Sequence, residues 1–194
     1  MYRETVHNDP RWPEVGFQGS NPSTDFRGMG LLSLTSLLYI AQVHSDKAIR
    51  MTTRTYPLCC TIINITNYVM SKLSKPGPKN TGSVVDNKSP MLKLMEGEMK
   101  SVDFQKRCLV NNQAFLFEEM LWMVTELFDA IWTTRQEGWD ISELKNNETA
   151  HYFKFGEVFK ETKSVVNATL DKHPPHYGTF KYLLNFDGLY DYNK

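Results

Sequence analysis

An excess of charge of either sign is missing from this sequence. Its 194 residues carry 22 lysines and arginines against 22 aspartates and glutamates. That balance leaves no electrostatic footprint for a nucleic-acid backbone, so no nucleic-acid partner is expected and any partner must be found by shape and local charge. Cysteine is scarce: Cys59, Cys60 and Cys108 are odd in number and lack metal-ligand spacing, which suits a reducing compartment better than a disulfide framework. The adjacent Cys59 and Cys60 read as small buried hydrophobes. No apolar run reaches the ~20 residues of a membrane span. Residues 1–7 offer neither the apolar core of a signal peptide nor the Met-Gly start of a myristoylated protein. Sequons at Asn64, Asn147 and Asn167 therefore read as chance, because a sequon matters only in a secreted protein. Also missing are an internal repeat, a G-x-x-x-x-G-K-[S/T] phosphate loop, a metal motif and a Ser or Cys nucleophile with a patterned base. The sequence does not read as a free-standing enzyme, and no cofactor or metal of its own is expected.

What is present is concentrated in residues 12–30, where four glycines, two prolines and a tryptophan crowd around charged residues before a long apolar run. A globular core has no need of that mixture. Gly16, Gly19, Gly28 and Gly30 mark places where the backbone takes φ > 0 or approaches another surface. Asn21-Pro22 and Ser23-Thr24-Asp25 are turn and helix-cap chemistry, so the segment reads as an ordered loop delivering the chain into a helix. Arg27 is its one permanently cationic group, flanked by Asp25 and Gly28. A planar guanidinium beside a glycine is suited to meeting a phosphate. The plainer reading is that Arg27 pairs with Asp25 or another acid and pins the loop.

Gly16-Phe-Gln-Gly19, Pro22, Thr24-Asp-Phe-Arg-Gly28 and Gly30-Leu-Leu together resemble the signature of the ELMO (engulfment and cell motility) domain. They are more similar to the ELMOD branch than to the large ELMO scaffold proteins. The ELMOD branch is associated with GTPase-activating activity toward Arf and Arl small GTPases, and its motif carries an arginine where this chain has Arg27; scaffold-type ELMO domains lack it. The stretch from Tyr56-Pro57 to Thr66 resembles a second segment of the family, and residues 115–170 match it loosely by pattern and aromatic placement. ELMO domains commonly have helical sequence upstream of this motif, whereas eleven residues precede Trp12 here.

The rest of the chain reads as helices. Residues 29–43 are apolar on nearly every face, which predicts a central, buried helix; its amino end would hold the Arg27 loop and favour an anion. After a polar link, Pro57 opens a helix in which Leu58, Ile62, Ile65, Val69 and Leu73 recur at steps of four, three, four and four. Residues 74–90 are rich in breakers and predict a mobile loop. A longer helix or helix pair follows over about 91–134, then, past Gly138, a last helix over about 147–172 and a capping tail containing a weak His173-x-x-His176 spacing. Glu118, Glu119, Glu126 and Asp129 could form a carboxylate site, but solvated helix acids are far commoner; Glu126 or Asp129 could also restrain Arg27.

The fold expected is all-α, a single irregular helical bundle around a buried central helix. It is divided into an extension at 1–11, an ELMO domain at 12–172 and a tail at 173–194. The resemblance implies a cytoplasmic activator of an Arf/Arl-family GTPase, recruited to membranes peripherally through that partner. The GTPase would bind GTP and Mg²⁺, and Arg27 would enter in trans as an arginine finger, an effect typically worth on the order of 10³–10⁵ in rate. Gln18 and Asp25 would orient the loop, with Gly16, Gly19, Thr24, Gly28 and Gly30 shaping it or contacting the GTPase. The alternative is a non-catalytic interaction module in which Arg27 is a structural ion-pair partner.

Overall fold

Two helices of this chain begin where its sequence supplies a capping serine. In the computed structural model, which describes residues 8–27, 29–74, 88–111, 115–140, 142 and 148–186, the Ser89 hydroxyl accepts the Leu92 N–H at 3.1 Å and Pro90 occupies the first helical turn. Proline there forfeits no hydrogen bond. Ser101 repeats the device by accepting the Phe104 N–H at 3.1 Å. Eight α-helices result among the described residues: α1 Leu31–Val43, α2 Ser45–Thr52, α3 Leu58–Ser74, α4 Pro90–Met99, α5 Val102–Asn111, α6 Leu116–Gln136, α7 Glu148–Asp171 and α8 Tyr177–Phe186. Two short 3-10 turns, Trp12–Val15 and Pro22–Arg27, precede them. No strand occurs among the described residues, and the fold class is all-α.

The helices gather into two compact units, Met1–Tyr68 and Val69–Lys194, whose boundary falls inside α3. In the second unit α6 is the core. Met120 through Phe128 are buried without a break, followed by Ile131 and Trp132. Phe128 stacks on Trp132 with ring centroids 5.9 Å apart and meets Phe155 of α7 at 5.4 Å. The Thr125 hydroxyl is satisfied by the Leu121 carbonyl at 2.9 Å, so it adds no orphaned polar group. α8 docks through two charged or polar anchors: the buried Glu98 carboxylate accepts the Tyr177 N–H at 2.8 Å, and the Tyr177 hydroxyl donates to the Leu116 carbonyl at 2.7 Å. Gly97 makes room for this, since a Cβ there would collide with the Pro175 carbonyl. The region expected as a longer helix or helix pair is three helices, because Ser101 and Phe115 interrupt a periodic pattern that reads as continuous. α8 lies in what the sequence suggested was a capping tail. The loop expected at 74–90 lies outside the described residues from 75 to 87.

The first unit departs most from the sequence reading. α1 was expected to be buried on most sides; it buries Ser33, Ser36, Tyr39 and Ile40 while Leu31 (73% exposed), Leu34, Leu38 (53%) and Val43 face solvent. The helix buried along most of its length is α6, in the second unit. Composition alone misleads here because α1 turns Ser33 and Ser36 inward beside Tyr39 and Ile40 and leaves Leu31 and Leu38 outward. The polar link that was expected after it is a helix, α2, which buries only Ala48 and Met51. α3 follows its pattern, with Leu58, Ile62, Ile65 and Val69 buried and Leu73 half-buried.

Candidate functional site

The Trp12–Arg27 backbone is a platform built from short hydrogen bonds. Its base is closed by the Asp9 N–H on the Ser20 carbonyl at 3.1 Å. The Arg11 guanidinium grips Asp9 at 2.6–3.1 Å and lowers its carboxyl to about 2. Gly16 then turns the chain with φ 95° and ψ 27°. Its carbonyl accepts the Cys60 N–H at 3.0 Å, and a Cβ would strike the backbone of Pro57 and Leu58. Only glycine satisfies both the positive φ and that close approach. Beyond the turn, Asn21 organises the second 3-10 turn: its Oδ1 accepts the Ser23 N–H at 3.1 Å and the Ser23 hydroxyl at 2.6 Å, while the Thr24 hydroxyl donates to the Asn21 carbonyl at 2.9 Å. This is an Asx turn of the kind the sequence announces.

Asp25 ties the two halves together. Its Oδ2 accepts the Gln18 N–H at 2.9 Å and faces the Cys60 thiol at 4.0 Å. Burial, with the Asp25 charge adding to it, pushes the Cys60 thiol up to about 11, so it stays protonated and is an S–H donor to that carboxylate. Beneath these bonds lies a small apolar cluster. Phe17, Cys59 and Ile63 are buried, with Trp12, Phe26 and Leu37 packed against them. Trp12 meets Phe17 edge to face at 5.4 Å, and Phe17 meets Phe26 at 5.9 Å, the geometry aromatic quadrupoles favour. Phe26 is thus anchored one residue before Arg27, which ends the second 3-10 turn.

Gly16, Gln18, Thr24, Asp25 and Arg27 are therefore brought together by one loop and the start of α3. The Arg27 side chain and Gly28 lie outside the described residues. Gly19 has open space where a Cβ would project, and Gly30 takes φ 54° as it enters α1, with its N–H on the Phe26 carbonyl at 2.6 Å. Sequence reasoning missed the part played by Cys60, whose backbone and thiol both hold the loop. The only signal for it was its place on the first turn of the Pro57 helix. Of the acids on α6, Glu126 is buried and faces Lys181 of α8 at 3.4 Å. His176 caps α8 by accepting the Thr179 N–H at 3.3 Å. Among the described residues no three His, Cys, Asp or Glu side chains cluster to hold a metal ion, and no helix is long and apolar enough to cross a membrane.

The sequence profile of the ELMO/CED-12 family matches residues 2–159, and the chain belongs to that family. It is 28% identical to ELMO domain-containing protein C of Dictyostelium discoideum over 179 residues, 89% of this chain and 25% of that protein. It is 39% identical to ELMO domain-containing protein B of the same organism over 79 residues, 38% of this chain and 28% of the relative. With human ELMO domain-containing protein 2 it shares 36% identity over 75 residues, 36% of this chain and 26% of the relative. The chain thus spans about a quarter of the length of these relatives. No solved structure matches it.

Proposed function

We propose that this ELMO-family chain activates GTP hydrolysis by an Arf/Arl-family small GTPase, with Arg27 entering in trans as an arginine finger. The observation that carries the reading is the bracing of the loop around that residue. Gly16 is bonded to Cys60 and Gln18 to Asp25, and Phe26 is held by Phe17 immediately before the arginine. A finger stabilises transition-state charge only if its backbone is placed beforehand, because reorganisation during the reaction would consume the gain. The family's motif arginine falls at this position, and the open side of Gly19 gives a partner room to approach.

The chemistry divides between two proteins. The GTPase binds GTP and Mg²⁺ and orients the attacking water. Arg27 contributes a planar fork to the β- and γ-phosphate oxygens as charge develops there. Cytoplasmic action on membranes through the GTPase belongs to the same proposal. Its test is single-turnover GTP hydrolysis by a panel of purified Arf and Arl GTPases with and without the chain, alongside a separate binding measurement. Faster hydrolysis by at least one GTPase is expected. Binding without acceleration across the panel would point to a non-catalytic interaction module instead.

A further inference from the structure

Asp25 and Phe26, the two residues before Arg27, are both fastened to the start of α3. The Asp25 carboxylate accepts the Gln18 N–H at 2.9 Å and the Cys60 thiol at 4.0 Å. Phe26 meets Phe17 with ring centroids 5.9 Å apart and packs against the cluster that contains Cys59 and Ile63. On a 3-10 turn consecutive side chains leave the axis about 120° apart. Two anchors so disposed fix the rotation and tilt of the turn, and with them the backbone at position 27. Burial of an apolar ring is non-directional, so the register of the turn falls to the carboxylate.

Cys60 is what aims that carboxylate. It meets the loop twice, its N–H on the Gly16 carbonyl at 3.0 Å and its thiol on Asp25. Because α3 is a regular helix, both contacts start from one fixed frame. The thiol is buried and Asp25 is half-buried. Burial and the Asp25 charge, opposed by a smaller pull from the Gln18 N–H, push the thiol up to about 11, so it remains an S–H donor at neutral pH. An amide and a thiol thus converge on one carboxylate at the seam between loop and helix. A thiol suits this corner because it behaves as a small hydrophobe and costs little to bury. A serine hydroxyl, carried on a shorter bond, would stand farther from the carboxylate. An aliphatic side chain would fill the space and donate nothing, leaving the Asp25 charge with one bond fewer.

We propose that Cys60 is a positioning residue for GTPase activation: its thiol, acting through Asp25, sets where the loop holds position 27. The role rests on the activating function proposed above. Its signature is one that general destabilisation would not give, a lower maximal rate at unchanged affinity. The native chain, Cys60→Val, Cys60→Ala, Asp25→Ala and the double variant Cys60→Val with Asp25→Ala are titrated in single-turnover GTP hydrolysis against the Arf and Arl panel. Val166→Ala, at a fully buried site of the second unit, is the control for lost stability. Both Cys60 variants should lower the maximal stimulated rate about five- to tenfold, the worth of one hydrogen bond to a carboxylate, and shift the half-maximal concentration by less than about twofold. Valine keeps the volume of the side chain and alanine vacates it, so a loss common to both belongs to the donor. The double variant should lose no more than Asp25→Ala, because the thiol acts through the carboxylate. In the free chain, the Gln18 amide should exchange with solvent about tenfold faster in both Cys60 variants and at the native rate in Val166→Ala. A native chain that accelerates none of the GTPases would overturn the activating function and this role with it. Native stimulation that both Cys60 variants retain in full, losses that add in the double variant, a loss of affinity in place of rate, or unchanged exchange at Gln18 would each overturn the role of Cys60 alone.

Discussion

α1 and α6 are both apolar along most of their length, yet they fold in opposite senses. α6 buries Met120 through Phe128 together with Ile131 and Trp132. α1 buries Tyr39 and Ile40 but also Ser33 and Ser36, whose hydroxyls find no hydrogen-bond partner, and leaves Leu31, Leu34, Leu38 and Val43 exposed. A buried hydroxyl without a partner costs on the order of 1–3 kcal/mol, and the exposed part of a leucine contributes nothing to folding. The arrangement of α6 is what stability alone would select. That of α1 is not, and the braced Arg27 loop lies against it. Stability is thus concentrated in one region of the molecule, and the proposed recognition in the other.

Substitutions can break or sharpen that contrast. The largest effect belongs to Trp132→Ala, which removes a fully buried ring stacked on Phe128; chemical denaturation should show a loss of about 3–5 kcal/mol. Should the loss be under about 1 kcal/mol, α6 would not be the centre of stability. Gly16→Ala comes next. It forces an L-residue to φ 95° and drives its Cβ into the backbone of Pro57 and Leu58, a combined cost of about 3 kcal/mol by the same assay. A neutral result would mean that the loop is not seated on α3 as described. The smallest effect carries the opposite sign. Ser36→Ala removes an unsatisfied hydroxyl and should raise stability by about 1 kcal/mol; destabilisation would show that the hydroxyl is bonded after all.

The sequence announced some of this and concealed the rest for physical reasons. α3 was legible because Leu58, Ile62, Ile65 and Val69 recur at helical spacing and all four are buried. The Asn21 turn and the special role of Gly16 were legible because few other residues perform those tasks. α2 was not, since a short helix burying only Ala48 and Met51 carries almost no periodic signal. The orientation of α1 was hidden because a helix apolar on every side has no phase from which to choose its inner face. Nor could spacing show that Cys60 holds the loop: contacts of the Cys60 thiol with Asp25, 35 residues away, are set by the fold and not by local pattern.

The central claim is that the platform exists to present Arg27. Single-turnover GTP hydrolysis by the responsive Arf or Arl GTPase, compared for native chain, Arg27→Ala and Arg27→Lys at matched occupancy, tests it most directly. Both variants should keep the native thermal transition and lose the stimulation, typically by a factor on the order of 10³ or more for alanine, with lysine failing because a point charge cannot reproduce the planar fork. Undiminished stimulation by a folded Arg27→Ala protein would contradict the account and make Arg27 a structural residue.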